Sequence, residues 1–444
     1  MIPKKILSLA VSSIAALGFA GGAAAQPADG PVAKSAFIAA SETVQSALSL
    51  SDAVQMALLN HPDTRAAAAR LASNQALEGQ ARAGAAPQLT GSIATATSKA
   101  GGAPSTDSAQ AQLRLSYVLF DFGQRSSDIA AAKANSTAAQ FDTEAAAQSV
   151  ILATAEKYFA HVEAIETSQA AGANVKSAKV SLDAAQTRFD AGLASRLELL
   201  QAQSMLSSAE LAEVRAQALV ASAEAELAQQ IGMRANARVS LTKVVAPVEV
   251  ELPQLDDLMS QAKLSRPEAA AARNRLTAAL AQQRAAQARG KPTLSFGATG
   301  SRTSYFGNGV GNQSNIGFTL DIPLFDGGMA KSQRQQARAQ ADLAEANLDA
   351  QLRSVELAAV QSHSQLRAAQ AAYRSASLFL QVANQAEEQA QGRYVAGVGS
   401  MTDWLDAQAK LASARQQNIA ALLDWHSAKL ALARAVGSLT LSSF

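Results

Sequence analysis

One offset constrains this chain more than any other feature. Aligning Arg393 on Arg188 sets a spacing of 205 (393 − 188), and the same spacing lays Gly397 on Gly192, Leu405 on Leu200 and Gln408 on Gln203. Carried outward without gaps, it superposes Pro267 on Pro62, Pro292 on Pro87, Phe325-Asp326 on Phe120-Asp121 and Gly437 on Gly232. The chain is a tandem duplication, so whatever one half folds into, the other half folds into as well.

Each half has the same internal order. From Ser51 apolar residues recur at helical spacing, with Pro62 falling inside the pattern as a kink or interruption. After Pro87 the period changes from 3.6 to 2. Leu113, Leu115, Tyr117 and Leu119 alternate with Gln112, Arg114, Ser116 and Val118, and Phe318, Leu320, Ile322 and Leu324 repeat the parity in the second half. Each of these strands follows another, over 88–97 and 293–301, with loops at 98–108 and 302–313. The four strands are predicted at about ten residues each, the length that crosses a bilayer when tilted.

Phe-Asp-Phe-Gly (120–123) and Phe-Asp-Gly-Gly (325–328) close the two hairpins. None of the eleven prolines lies between Pro104 and Pro247, and none follows Pro323, so both stretches are free to be helix. Residue 123 to Gly192 spans on the order of 100 Å of helix. Its return leg covers only half of that, so the long helix is expected to pair with two shorter ones placed end to end. Leu348, Leu352, Val355, Ala359, Leu366, Tyr373 and Leu380 form a heptad seam in the second half, whereas Ile151, Tyr158 and Ile165 set a different register in the first.

The predicted fold is therefore mixed and mainly α: long helical hairpins plus four β-strands per chain which, if they span a membrane, contribute to an oligomeric transmembrane barrel. Four strands cannot close a barrel alone. Repeat 1 is placed at 48–232 (hairpin 88–120, helices 51–85, 123–190 and 195–231), and repeat 2 at 256–439 (hairpin 293–325, helices 256–290, 328–394 and 400–436). A connector with one short strand is expected at 233–255, a loose lead-in at 26–47 and a tail at 440–444.

Residues 1–25 carry Lys4 and Lys5, an apolar run and Ala23-Ala24-Ala25, the pattern of a secretory signal peptide. With no cysteine anywhere, neither a disulfide nor a lipidated cysteine is expected. Loss of the leader removes two of the 38 basic residues and none of the 36 acidic ones, leaving 36 against 36 and no basic footprint for nucleic acid. His61, His161, His363 and His426 share no metal-ligand spacing. The glycines at 307, 309 and 311 lack the lysine and helix start of a phosphate cradle. No catalytic constellation, metal site or cofactor site is expected, and the chain is not read as an enzyme.

At the centre of each half a glycine, Gly192 or Gly397, breaks one helix just before the next begins, marking the tip of a helical hairpin. A plain helix cap is the alternative. Tyr394, Asp403, Trp404 and Asp406 crowd the second tip, and Trp404 is read as packing there. Asp403 and Asp406 lie three apart, hence on one helix face, either as solvated acids at a helix start or as a functional pair.

Tyr394-Val395-Ala396-Gly397 followed by 403–408 (DWLDAQ), paired with 188–192 (RFDAG) followed by 198–203 (ELLQAQ), resembles the TolC-like outer membrane factor family over residues 48–439. The resemblance implies a homotrimer whose twelve strands form one barrel in the outer membrane of a Gram-negative bacterium. Below the barrel a periplasmic helical tunnel would dock to a periplasmic adaptor and an inner-membrane ABC, RND or MFS pump, as a passive exit duct for efflux or type I secretion. It further implies that Asp403 and Asp406 form acidic rings at the tunnel entrance and that Tyr394 and Glu198 are constriction links. Gly399 stands where the family's best-known member has an arginine. The alternative is a periplasmic or surface coiled-coil scaffold or adhesin without a pore, in which paired strands at the 205 spacing would have no role.

Overall fold

The computed structural model describes residues 47–99, 101, 106–242, 253–305 and 309–440. The expected leader, all but the last residue of the lead-in, residues 243–252 of the connector and residues 441–444 of the tail lie outside the described residues. The elements in chain order are α1 (Leu50–Asn60), α2 (Pro62–Gly84), β1 (Gln88–Ser98), β2 (Thr106–Phe120), α3 (Gln124–Asp190), α4 (Arg196–Gln230), α5 (Leu255–Ser265), α6 (Pro267–Ala288), β3 (Thr293–Tyr305), β4 (Gly309–Asp321), α7 (Met329–Val395) and α8 (Met401–Ala435). The long helices have 67 residues each and their return helices 35 each, so the duplication holds element by element.

Of the kink or interruption expected at Pro62 within 51–85 the chain makes an interruption, and the helix placed at 256–290 is divided at the equivalent Pro267. A proline has no N–H to donate and disfavours helical geometry in the residue before it. His61 and Arg266 accordingly sit in extended backbone, and new helices start at Pro62 and Pro267.

One unit gathers Leu77–Ala132 and Leu280–Ala339 around a four-stranded antiparallel sheet in the order β1-β2-β3-β4. The two hairpins join edge to edge through β2 and β3, leaving β1 and β4 as open edges. The strands run 11, 15, 13 and 13 residues, longer than the sequence suggests. Gly309 and Gly311, expected in a loop, pair with Tyr305 and Thr303 in the ladder, while 306–308 lie outside the described residues. Pairing puts Leu89, Leu115, Ala298 and Ile316 in one row and Tyr117, Phe296 and Phe318 in another, all on one face. The opposite face carries Thr90, Arg114, Thr299 and Asn315, flanked by Gln88, Ser116, Gly297 and Gly317 on one side and Ser92, Gln112, Ser301 and Gln313 on the other. The sheet has one apolar and one polar side.

The hairpin-closing motifs start the long helices. Asp121 accepts hydrogen bonds from the Gly123 and Arg125 amides (3.2 and 3.1 Å), and Asp326 from those of Gly328 and Ala330 (2.9 and 2.8 Å). Helix-start amides lack intrahelical acceptors, and a carboxylate there meets both the hydrogen bond and the dipole.

The other unit, Ala40–Ala76, Lys133–Ala279 and Gln340–Phe444, is helical. Its largest apolar cluster joins Val54, Tyr158, Phe159, Leu227, Ile231, Leu423 and Leu430. The seam residues Val355, Ala359 and Leu366 are buried, as are Ile151 and Tyr158 in the first repeat. The connector touches down at a parallel bridge between Leu48 and Leu241, where the Tyr158 hydroxyl lies 3.2 Å from the carbonyl oxygens of both Leu48 and Thr242. Among the described residues no helix is long and apolar enough to cross a membrane.

Candidate functional site: the hairpin tips

The two tips share a backbone. Gly192 and Gly397 take φ of +73° and +77°, the left-handed region that glycine enters without a steric penalty. The Leu193 and Val398 amides reach back to the Arg188 and Arg393 carbonyls (2.8 and 3.0 Å), and those of Gly192 and Gly397 to Phe189 and Tyr394 (2.9 and 3.0 Å). This double closure is the Schellman pattern, which satisfies the last carbonyls of α3 and α7. Ser195 and Ser400 then cap α4 and α8, accepting from the Glu198 amide at 3.3 Å and the Asp403 amide at 3.1 Å. The Glu198 carboxylate in turn accepts from the Ser195 amide at 3.3 Å, completing a capping box, whereas the cap at Ser400 is its hydroxyl accepting from the Asp403 amide.

The side chains of the second tip turn inward. Tyr394, Met401 and Trp404 are each 1% exposed and cluster with Ala185 and Ala202 of the first hairpin. The Tyr394 and Trp404 rings stack at 5.3 Å, and the indole N–H donates to Glu387 at 3.0 Å. Trp404 fills the groove beside the turn, with its one polar atom satisfied.

Arg188 enters this cluster from the first hairpin. Its guanidinium lies 4.9 Å from the Tyr394 ring centroid and donates to the Tyr394 carbonyl at 3.0 Å, while the Tyr394 hydroxyl stands 3.5 Å from Glu198. Burial, and secondarily the Glu198 charge, pushes the Tyr394 hydroxyl above its ordinary pKa against the opposing pull of Arg188. It therefore keeps its proton at neutral pH and can donate it toward Glu198. Further along the same seam Ser181 donates to buried Gln408 at 3.3 Å, Gln408 donates to the Ser177 carbonyl at 3.4 Å, and Arg415 donates to Asn174 at 2.8 Å.

The structure thus brings Tyr394 and Glu198 together across the two tips. Asp403 and Asp406 stay exposed on α8, and Asp406 pairs with Lys410 at 2.7 Å. Sequence reasoning missed Lys410, although an acid four residues before a lysine on a helix is a readable pair. It also missed Arg188 and Glu387, whose partners lie in another helix. Gly399 has no room for a larger side chain without movement, because a Cβ there would sit 3.0 Å from the Arg393 Cβ and 3.1 Å from the backbone of Arg393 and Tyr394.

An edge-open sheet with one apolar and one polar face is joined in sequence to two long helical hairpins, the same order in each repeat. The profile of the outer membrane efflux protein family matches residues 53–233 and again 258–438, segments offset by 205 at both ends. The chain belongs to that family. It is 31% identical to Protein CyaE of Bordetella pertussis over 405 residues, covering 88% of this chain and 84% of that one. It is 26% identical to the outer membrane efflux protein BepC of Brucella suis, covering 80% and 77%. Among solved structures, the Campylobacter jejuni CmeC outer membrane channel superposes with a TM-score of 0.79 at 22% identity, covering 89% of this chain and 88% of that one.

Proposed function

We propose that three copies of this chain form a passive outer-membrane exit duct, coupled through a periplasmic adaptor to an inner-membrane ABC, RND or MFS pump in efflux or type I secretion. The open sheet carries this reading. In a bilayer the outer strands β1 and β4 cannot leave their N–H and C=O groups unpaired, and four strands are half of the smallest barrels, so the edges must close on further copies. Three copies give twelve strands. The apolar face then meets lipid and the polar face lines water.

In this duct the tips form the periplasmic entrance. Arg188, Tyr394 and Glu198 link the two hairpins of one chain, and Arg188 supplies the positive charge that Gly399 cannot. Asp403 and Asp406 become two acidic rings by symmetry, drawing in cations and repelling anions. Lys410 offsets part of the Asp406 charge, so Asp403 carries more of the field.

Planar-bilayer recording of the purified protein tests the proposal. Cation-selective conductance is expected, with block from the periplasmic side by small polyvalent cations. Asp403→Asn with Asp406→Asn should weaken both effects while leaving the oligomer assembled, and Lys410→Gln should strengthen the block. Absence of conductance from a folded oligomer rules out the duct. Unchanged selectivity and block in the double variant rule out the rings.

A further inference from the structure

The polar face of the sheet carries a single charged side chain between its ends. Arg114 lies near the middle of β2, an inner strand, between Thr90 on β1 and Thr299 on β3, and is exposed. Its neighbours on that face are uncharged: Gln112 and Ser116 on β2, Ser92 and Gln88 on β1, Ser301 and Gly297 on β3. The one carboxylate on the same face among the described residues, Asp321, ends β4 six residues beyond Asn315, the residue in Arg114's row, on the order of 20 Å along the strand. The row next to Arg114 ends in Gly297 and Gly317, which leaves its long side chain free space. Parity excludes the opposite orientation, since an arginine facing lipid at mid-bilayer costs roughly 2–4 kcal/mol and would bring Leu89, Leu115 and Ile316 to water instead.

We infer that Arg114 forms an anion-attracting collar in the lumen of the barrel, a local site for the carboxylate or phosphate groups of solutes that have already passed the tips, whose acidic rings set the selectivity of the whole duct. This rests on the duct reading, which sets three arginines around one axis. Twelve tilted strands at ordinary spacing enclose a wall on the order of 25 Å across. Arginine side chains shorten that radius to a distance comparable to the Debye length of about 8 Å at physiological salt, so each guanidinium acts on any solute in the lumen. The collar is set by the sheet and is independent of the chemistry of the tips.

The chain has no cysteine, so one introduced thiol reports the local potential. Thr299→Cys, directly opposite Arg114, is reacted in the detergent-extracted oligomer with an anionic sulfonate and a cationic trimethylammonium methanethiosulfonate. Each rate is divided by that with a free small thiol. The anionic reagent is expected to be favoured, and adding Arg114→Gln should lower the anion-to-cation ratio about threefold or more. Thr90→Cys is the second reporter if the first variant fails to assemble. A thiol that reacts with both reagents at a ratio indifferent to Arg114→Gln overturns the collar and leaves the duct standing. A thiol closed to both reagents in the folded oligomer means that the polar face does not line water, and the duct reading falls with the collar.

Discussion

The first and second tips share one backbone and differ in what they bury. Both turn through a left-handed glycine and both begin the next helix on a serine cap. Yet Phe189, Leu193, Leu197 and Leu200 of the first tip remain exposed, whereas Tyr394, Met401 and Trp404 of the second are buried. Position 199 holds leucine where 404 holds tryptophan, and Arg188 crosses to the other hairpin while its counterpart Arg393 stays exposed. A tip's backbone needs only a glycine and a cap, so duplication preserves it cheaply. Its chemistry depends on neighbours that duplication does not supply.

The helix breaks repeat the lesson. At the first, His61 faces Asp63 at 3.8 Å; at the second, Arg266 reaches Glu268 with two hydrogen bonds of 3.2 and 2.9 Å, and Arg434 lies 4.0 Å away. Burial pushes the Glu268 carboxyl up, but the Arg266 hydrogen bonds and the two guanidinium charges outweigh it and hold its pKa below the ordinary value. The same two positions carry a loose pair in one repeat and a forked one in the other.

The largest contrast should appear at the paired positions 404 and 199. Trp404→Ala removes a buried aromatic and leaves Glu387 without its donor, a loss of about 3–5 kcal/mol in stability. Leu199→Ala, at a half-buried site, should cost at most about half as much. Thermal unfolding of both variants in detergent measures the difference, and equal losses would erase the asymmetry between the tips.

Next comes the acid limb of stability. Because the folded-state pKa of Glu268 is lowered, its contribution is fully present above the unfolded value near 4.5 and disappears as pH falls through the lower folded value. Glu268→Gln should cost about 1.5–2 kcal/mol at neutral pH and less at low pH, which unfolding curves from pH 7 to 3 would reveal. A variant that stays parallel to the parent over that range would remove the forked pair from the account.

Arg188→Met should cost about 1–1.5 kcal/mol through its lost ring contact and hydrogen bond, against nearly nothing for Arg393→Met. In bilayers only the former should raise the open probability of the entrance. Smallest of all is the difference between Gly192→Ala and Gly397→Ala. A Cβ meets nothing within 4 Å at the first and only the Arg188 guanidinium at 3.7 Å at the second, so each should cost about 1 kcal/mol from backbone strain alone. Unequal losses would mean that the turns differ in more than side chains.

The features legible in the sequence are those written in local period and local punctuation. The parity of Leu113 to Leu119, the glycines at 192 and 397 and the Phe-Asp motifs each act within a few residues, and the 205 spacing repeats them. What escaped was written across helices. Arg188 and Arg393 are equivalent in sequence, and nothing local tells which will meet an aromatic ring. The ladder likewise extends to Gly309 and Gly311, because partners across a strand decide pairing where glycine alone suggests a loop.

The central claim is that β1 and β4 close on neighbouring copies. Ala94→Cys on β1 and Gln313→Cys on β4, combined in a chain with no other thiol and both on the polar face, test it when the outer-membrane-extracted protein is treated with a short flexible bis-thiol reagent. The account predicts a covalent ladder of one, two and three chains on a denaturing gel that ends at three, with neither single variant giving more than a trace above one. A product that remains a single chain, or a ladder that continues past three, would contradict it.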